Sequence, residues 1–268
     1  MTHWQLIVEP EPLPGSWNMA LDEHLYTLAA SSPRTFLRFY RWERPTASLG
    51  YSQDASRVVD AEFCRDRGID IVRRMTGGKL VLHDREVTYS IASADTAIFT
   101  DTLRESYRLI SRALLKGLAL MGITARLAET SPPAYARGTM PCFAFPARDE
   151  IEIEGRKIVG SAQKRTGALF LQHGSIPLDK DEALLAAVSR PGETAESLGM
   201  TSVSEALGRP VEFDAAVGPL VQGFADLFGV EFERFSLPPA DREAVRRLQA
   251  EKYASDAWTF RRGGPPAR

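Results

Sequence analysis

The stretch from Ile69 to Ala92 narrows the fold of this chain more than any other. It holds three extended runs, 69–74, 79–83 and 87–92, with Thr76-Gly77-Gly78 in the first gap and His83-Asp84 closing the second run. Hairpins of this kind, mixed with helices along the rest of the chain, argue for an α+β fold rather than a doubly wound parallel sheet. The paired glycine also has a chemical reading. Glycine has no Cβ to block approach, so such a loop presents bare backbone N–H groups, with the guanidinium of Arg74 beside them, to a small ligand. By itself the turn reads equally as a tight hairpin.

The remaining periodicity fits one domain. Ser16 to Ala30 reads as a helix with Leu21, Leu25 and Leu28 on one face, and Thr35 to Trp42 alternates as a half-buried strand. Pro45 breaks that strand, and 46–51 reads as another. A short helix is expected over 58–67, with Gly68 as its stop. The clearest helix is 103–121, where Leu103, Tyr107, Ile110 and Leu114 share a face and Gly122 caps the end. A proline-containing loop spans 131–140, a hairpin 151–159 turns at Glu154-Gly155, and one more strand covers 168–176. Helices then dominate, at about 181–189, 203–207, 213–228 and 239–253. The expected architecture is a mixed, largely antiparallel sheet flanked by helices, in one domain over 1–260. Its mostly helical part from about 180 packs on the sheet, and a disordered tail covers 261–268.

Composition excludes several classes. A net charge of −2 gives no broad positive field for nucleic acid or a membrane surface, and no apolar run has the length of a membrane span. Residues 4–10 show no basic region followed by an apolar stretch, so no secretion signal is expected. Two cysteines make no disulfide framework, which points to a reducing cytoplasm. No metal site is expected. Lysine is scarce, at six residues against 27 arginines. A lysine at 157 therefore draws notice, because lysine shifts its pKa in a dry pocket while arginine stays charged.

The reactive candidates are few. Cys64 sits beside Phe63 on a short helix and reads as a small buried hydrophobe. Cys142 follows the proline-containing loop, where functional residues concentrate, although a lone cysteine is more often packing than chemistry. Lys157 lies fifteen positions later and by itself reads more readily as a surface strand lysine. His83 and His173 are each open to a structural role, a positioning role or service as a base toward a thiol.

Three blocks occur in one order: Arg73-Arg74-Met75-Thr76-Gly77-Gly78-Lys79 running to His83-Asp84, Gly155-Arg156-Lys157-Ile158-Val159-Gly160-Ser161-Ala162-Gln163, and Leu171-Gln172-His173-Gly174-Ser175-Ile176. Together they resemble the lipoate–protein ligase and octanoyltransferase family, whose catalytic domain is shared with biotin ligases. The resemblance runs from Asn18-Met19-Ala20-Leu21-Asp22-Glu23 to the Glu251–Trp258 region. It implies that Cys142, in Met140-Pro141-Cys142-Phe143, carries an acyl group as a thioester, and that Lys157 lowers the thiol pKa. It also implies an acyl and carrier site lined by Arg74, Thr76, Gly77, Gly78 and His83, faced by Gly160, Ser161 and Ala162. An eight-carbon chain buried there gains about 0.8 kcal/mol per CH₂.

Two departures select the branch. Lys79 stands where ligases of the family often carry a third glycine, and Ala147-Arg148-Asp149 replaces their Arg-Asn-Asp. The octanoyltransferase branch commonly has a basic residue at the first of these positions, and the missing Asn together with Cys142 favours thioester transfer over adenylate chemistry. The expected activity is octanoyl transfer from acyl carrier protein to a lysine of a lipoyl-domain protein or glycine-cleavage carrier protein, with no cofactor. The alternatives are an ATP- and Mg-dependent lipoate–protein ligase, an octanoyl amidotransferase between carrier proteins, and a non-catalytic acyl-binding protein. Arg74, Lys79 and Arg85 are expected to form a basic rim for acidic partners.

Overall fold

Strand pairing between distant parts of the chain sets the architecture. The computed structural model describes residues 2–32, 34–100, 102–130, 147–190 and 199–261. In chain order the first elements are β1 (Thr2–Val8), α1 (Gly15–Ser31), β2 (Phe36–Tyr40), β3 (Thr46–Leu49), α2 (Ala55–Val58), α3 (Ala61–Arg67), β4 (Asp70–Arg73), β5 (Val81–His83), β6 (Glu86–Ser93) and α4 (Leu103–Leu120). Then come β7 (Arg126–Leu127), β8 (Ile151–Ile153), β9 (Arg156–Lys157), β10 (Gly160–Thr166), β11 (Leu169–Pro177), α5 (Glu182–Val188), α6 (Val203–Leu207), α7 (Phe213–Phe228), β12 (Val230–Arg234) and α8 (Pro239–Leu248). A π-helical turn, Gln249–Tyr253, and α9 (Asp256–Thr259) complete the described chain. None of the described helices is long and apolar enough to cross a membrane.

The main sheet has the order β10-β11-β6-β2-β1-β12. β10, β11, β6 and β2 pair antiparallel, while β1 runs parallel to both β2 and β12. The fold is the expected α+β class with a mixed sheet between helices. Register gives each face its character. Gly160, Ser175, Thr88 and Tyr40 form one row across the sheet, and Ala162, His173, Ser90 and Arg38 form the next on the same face. These rows are small or polar, and α1 covers them. The opposite face, including Leu37, Phe39, Tyr89, Ile91 and Phe170, belongs to the main hydrophobic core with Leu114, Leu220 and Phe224 of α4 and α7. Those two helices meet at glycines. A Cβ on Gly223 would lie 2.4 Å from the Gly117 nitrogen, and one on Gly117 would lie 2.8 Å from the Leu220 Cα.

A second sheet, β4-β3-β5, carries the glycine turn. Here the tight-hairpin reading fails, because β4 and β5 do not pair with each other. Both flank β3, one parallel and one antiparallel, so residues 74–80 cross the end of that strand. The crossing requires Gly50, where a Cβ would sit 2.0 Å from the Gly78 carbonyl oxygen. A third, small sheet, β7-β8-β9, contains the expected hairpin. Glu154 (φ 51°) and Gly155 (φ 81°) are both left-handed, as a two-residue hairpin turn demands.

Other expectations need correction. The helix expected over 58–67 begins only at Ala61: Val58 ends the separate helix α2, Val59 and Asp60 are extended, and Asp60 caps α3, its carboxylate accepting from Phe63 N at 3.0 Å. The helix expected over 239–253 changes to π geometry at Gln249. Leu103 is 49% exposed rather than core. The helical C-terminal part contains β12, which returns to the sheet edge. Arg261, the first residue of the expected tail, is not loose: its guanidinium stacks 3.8 Å from the Tyr51 ring and 4.2 Å from the Trp258 ring. The remainder of that tail lies outside the described residues.

Gly223→Val is expected to lower stability by about 2 kcal/mol or more, since β-branched bulk has no room at this helix crossing. A urea-unfolding midpoint unchanged from the parent would contradict the close approach.

Candidate active site

Two consecutive arginines build the turn. Arg73 is fully buried and donates to the carbonyls of Gly50, Tyr51, Gln53, Trp258, Thr259 and Arg261. Arg74 is buried too. Its guanidinium donates to Ser48 O at 2.8 Å, Gly77 O at 2.9 Å and Lys79 O at 2.7 Å. Thus Arg74 shapes the turn from inside through these bonds. Gly78 needs its positive φ of 93°, and a Cβ there would meet Arg74 Nη2 at 2.8 Å.

Two histidines reach the turn region from carboxylates beneath it. His173 on β11 lies 3.0 Å through Nδ1 from Asp22 Oδ2 on α1, and 2.7 Å through Nε2 from Thr76 Oγ1. A carboxylate only accepts, so Nδ1 carries the proton and the threonine hydroxyl donates to Nε2 of the neutral ring. His83 repeats the arrangement, with Nδ1 2.8 Å from Glu86 Oε1 and Nε2 2.8 Å from Ser48 Oγ. Its ring stacks on Trp42 at 4.0 Å. Asp22 also accepts from Arg38, Tyr40 and Ser90. Burial alone would raise its pKa, yet the His173 hydrogen bond and the Arg38 charge hold it below the usual carboxylate value. Burial likewise opposes ionisation of Glu86, and His83, Ser175 and Thr88 together bring it below the usual value. For His173, burial dominates and lowers the pKa, against the pull of Asp22.

The row of small residues on the sheet leaves a narrow cavity beside the turn. Its space is about 370 Å³ including the open mouth, and Met19, Tyr40, Trp42, Val81, Gly160, Ala162 and Gly174 are among the residues that line it. Arg74, His83, Ser161 and His173 also reach its wall. Gly174 has to be glycine here, because a Cβ would lie 2.6 Å from both Ser161 Oγ and Tyr89 Cε1. Ser161 bonds the Tyr89 hydroxyl at 2.7 Å, and burial pushes that phenol up to about 12. Ser161 and Ala162 also line a wider cleft, about 750 Å³ including open solvent at its mouth, with Gly77 and Gly78, Leu103, Arg104 and Tyr107 of α4, and residues 147–150. The structure therefore brings the glycine turn, His83 and the 160–162 wall together around two adjoining spaces.

Lys157 is 1% exposed, on β9. Its Nζ lies 2.8 Å from Glu150 Oε1, while Glu150 Oε2 accepts from the Ala147 amide at 2.8 Å. Both Ala147 and Glu150 line the wide cleft. Cys142 lies outside the described residues, five positions before Ala147. The basic rim expected from Arg74, Lys79 and Arg85 does not assemble as such. Arg74 points into the turn, and Arg85 pairs with Asp179 at 2.6 Å beside a different pocket. Asp22, Glu86 and Glu150 were missed as site residues. Their positions relative to His83, His173 and Lys157 are the missing information, and only Glu86, three residues from His83, had a local sequence signal.

This arrangement of sheets around a glycine turn is the fold of lipoate–protein ligases. A lipoate–protein ligase A solved with ATP superposes with a TM-score of 0.83 at 22% identity, over 97% of this chain and all of that one. A T. acidophilum protein solved with bound lipoic acid gives 0.80 at 22% identity, over 97% of this chain and all of that one. The model of the lipoyl protein ligase A/B catalytic domain matches residues 14–225, and the chain belongs to that family. Among its relatives are the octanoyltransferase LipM of Kyrpidia tusciae, 39% identical over 92% of this chain and 95% of the relative, and that of Geobacillus kaustophilus, 37% identical over 93% and 95%.

The buried histidine predicts an acid-sensitive fold. Unfolded, His173 titrates near its usual pH of about 6.5, and its lowered folded pKa means that the unfolded chain takes the proton first. Its stabilisation is full above about pH 6.5 and is lost as pH falls. Asp22 and Glu86 add a second loss below about pH 4. The melting temperature is expected to decline in two stages on acidification, and His173→Gln should flatten the first. A first stage unaltered in that variant would contradict the assignment.

Proposed function

We propose that the chain is an octanoyltransferase that moves octanoate from acyl carrier protein to a lysine of a lipoyl-domain protein, with the glycine-cleavage carrier protein as one such acceptor. It uses no ATP, metal or other cofactor. The observation that carries this reading is the near full-length similarity to octanoyltransferases at 33–39% identity, joined to the presence of Cys142 and Lys157 in their motif positions.

The step divides in two. The Cys142 thiolate attacks the carrier thioester carbonyl, a new C–S bond forms as the carrier's own C–S bond breaks, and the carrier leaves as a thiol with the proton the Cys142 thiol gave up. The acceptor amine then attacks the Cys142 thioester. The C–N bond forms, the C–S bond breaks, and the cysteine takes up the proton released by nitrogen. Lys157 stabilises the thiolate and polarises the acyl carbonyl. Its support is positional: Glu150 holds the Lys157 ammonium and, through the Ala147 amide, the chain five residues after Cys142. The narrow cavity takes the alkyl chain. Its carbon-rich walls of Met19, Tyr40, Trp42 and Val81 suit an unbranched apolar ligand.

Intact-protein mass spectrometry after mixing with octanoyl acyl carrier protein, without ATP, tests the route. The expected outcome is an octanoyl adduct released by hydroxylamine and absent from Cys142→Ala. Lys157→Ala should slow adduct formation by about 100-fold, the scale on which a positioned proton-transfer or charge-stabilising group acts. Transfer that appears only with ATP and free octanoate would defeat the proposal and indicate adenylate chemistry.

A further inference from the structure

The outer surface of α4 carries a row of cations. Arg104, Arg108, Arg112 and Lys116 are all exposed and recur every four residues, and Glu105 is the only acid on the helix. Residues at this spacing are surface neighbours. The row follows the helix for about 18 Å, winding about 40° at each step. Like charges so placed destabilise a helix, and a single exchange of sign would relieve the repulsion. Asp149 offsets the first two, 3.1 Å from Arg104 and 3.9 Å from Arg108. Among the described residues, Arg112 and Lys116 form no ion pair. General basicity does not account for the row, since the chain's net charge is −2.

The row starts at the candidate active site. Leu103, Arg104 and Tyr107 form one bank of the wide cleft, across from Gly78 and Ala162. Leu103 adds an exposed apolar side chain at that lip. The result is a cationic ridge that leads outward from the mouth of the cleft.

We propose that this ridge docks the acyl donor, an acidic carrier protein that presents its octanoyl thioester on a long flexible arm. The inference rests on the octanoyl-transfer reading above. The length of the ridge distinguishes donor from acceptor. An acceptor lysine hangs on a short side chain, so its backbone has to come to the mouth itself. A thioester on an arm reaches the cleft while its carrier sits well away, along the far part of α4. Charge complementarity of this kind acts on encounter and salt dependence more than on the chemical step.

Arg112→Glu in the full chain tests this. The exchange replaces two repulsive pairs, with Arg108 and Lys116, by two attractive ones, so the melting temperature should be unchanged or higher. At low salt, KM for octanoyl acyl carrier protein should rise about tenfold with kcat unchanged. KM for octanoyl-pantetheine, the same thioester without the protein, and KM for the acceptor domain should not move. Added NaCl should raise the parent's KM for the carrier and affect the variant less. Lys116→Gln, which removes a charge without reversing it, should give about a threefold rise. An unchanged KM for the carrier in both variants would overturn the proposal. So would a rise confined to the acceptor, which would assign the ridge to that partner. A parent enzyme that transfers octanoyl from neither donor would instead overturn the activity on which the inference rests.

Discussion

Two neighbouring guanidiniums hold the backbone around which the candidate site is arranged. Arg73 and Arg74 together donate to nine backbone carbonyls, those of Ser48, Gly50, Tyr51 and Gln53, of Gly77 and Lys79, and of Trp258, Thr259 and Arg261. The glycine turn crosses a strand end and has no ladder of its own, so its carbonyls take donors from side chains. Arginine offers five N–H groups in a fixed plane, where lysine offers three at a point. The arrangement also gives the abundance of arginine a structural use, alongside the exposed row on α4.

Local pattern made much of the molecule legible. The glycine turn, the left-handed hairpin at Glu154-Gly155, the long helices and the α+β class all follow from residues close together in sequence. The failures share a cause. β1 and β12 pair across more than two hundred residues, and Thr2 meeting Val230 leaves no local mark. The hairpin reading of 69–83 missed β3 inserting between its two strands, a pairing that depends on the close approach of Gly50 and Gly78 and leaves no mark within 69–83.

The site follows the same division. His83, His173 and Lys157 stood out because they lie in recognisable blocks, while the partners that set their states came from elsewhere. Asp22 is 151 residues from His173, and no periodicity connects them. Glu150, only seven residues from Lys157, was hidden for a different reason, since a hairpin-flanking glutamate ordinarily faces water. Cys142 rests on sequence and family alone, because it lies outside the described residues. The two kinds of charge in the structure are also kept apart. Asp22, Arg38, Glu86 and Lys157 are buried in hydrogen-bonded partnerships, whereas the α4 cations face solvent, where fields act at a distance.

The clasp made by Arg73 has a consequence in time as well as in space. Three of the six carbonyls it gathers belong to Trp258, Thr259 and Arg261, and the other three belong to the segment just after β3 that carries Tyr51, whose amide bonds Thr76 of the turn. The chain emerges from the ribosome in order, so most of the sheet and both flanking helices of the core are made before this guanidinium can be satisfied. The turn region acquires its full set of bonds only once residues 258–261 have been made. A chain interrupted before residue 258 keeps the sequence of its main core and lacks this fastening of its site, so the turn depends on a segment made long after the strands it joins.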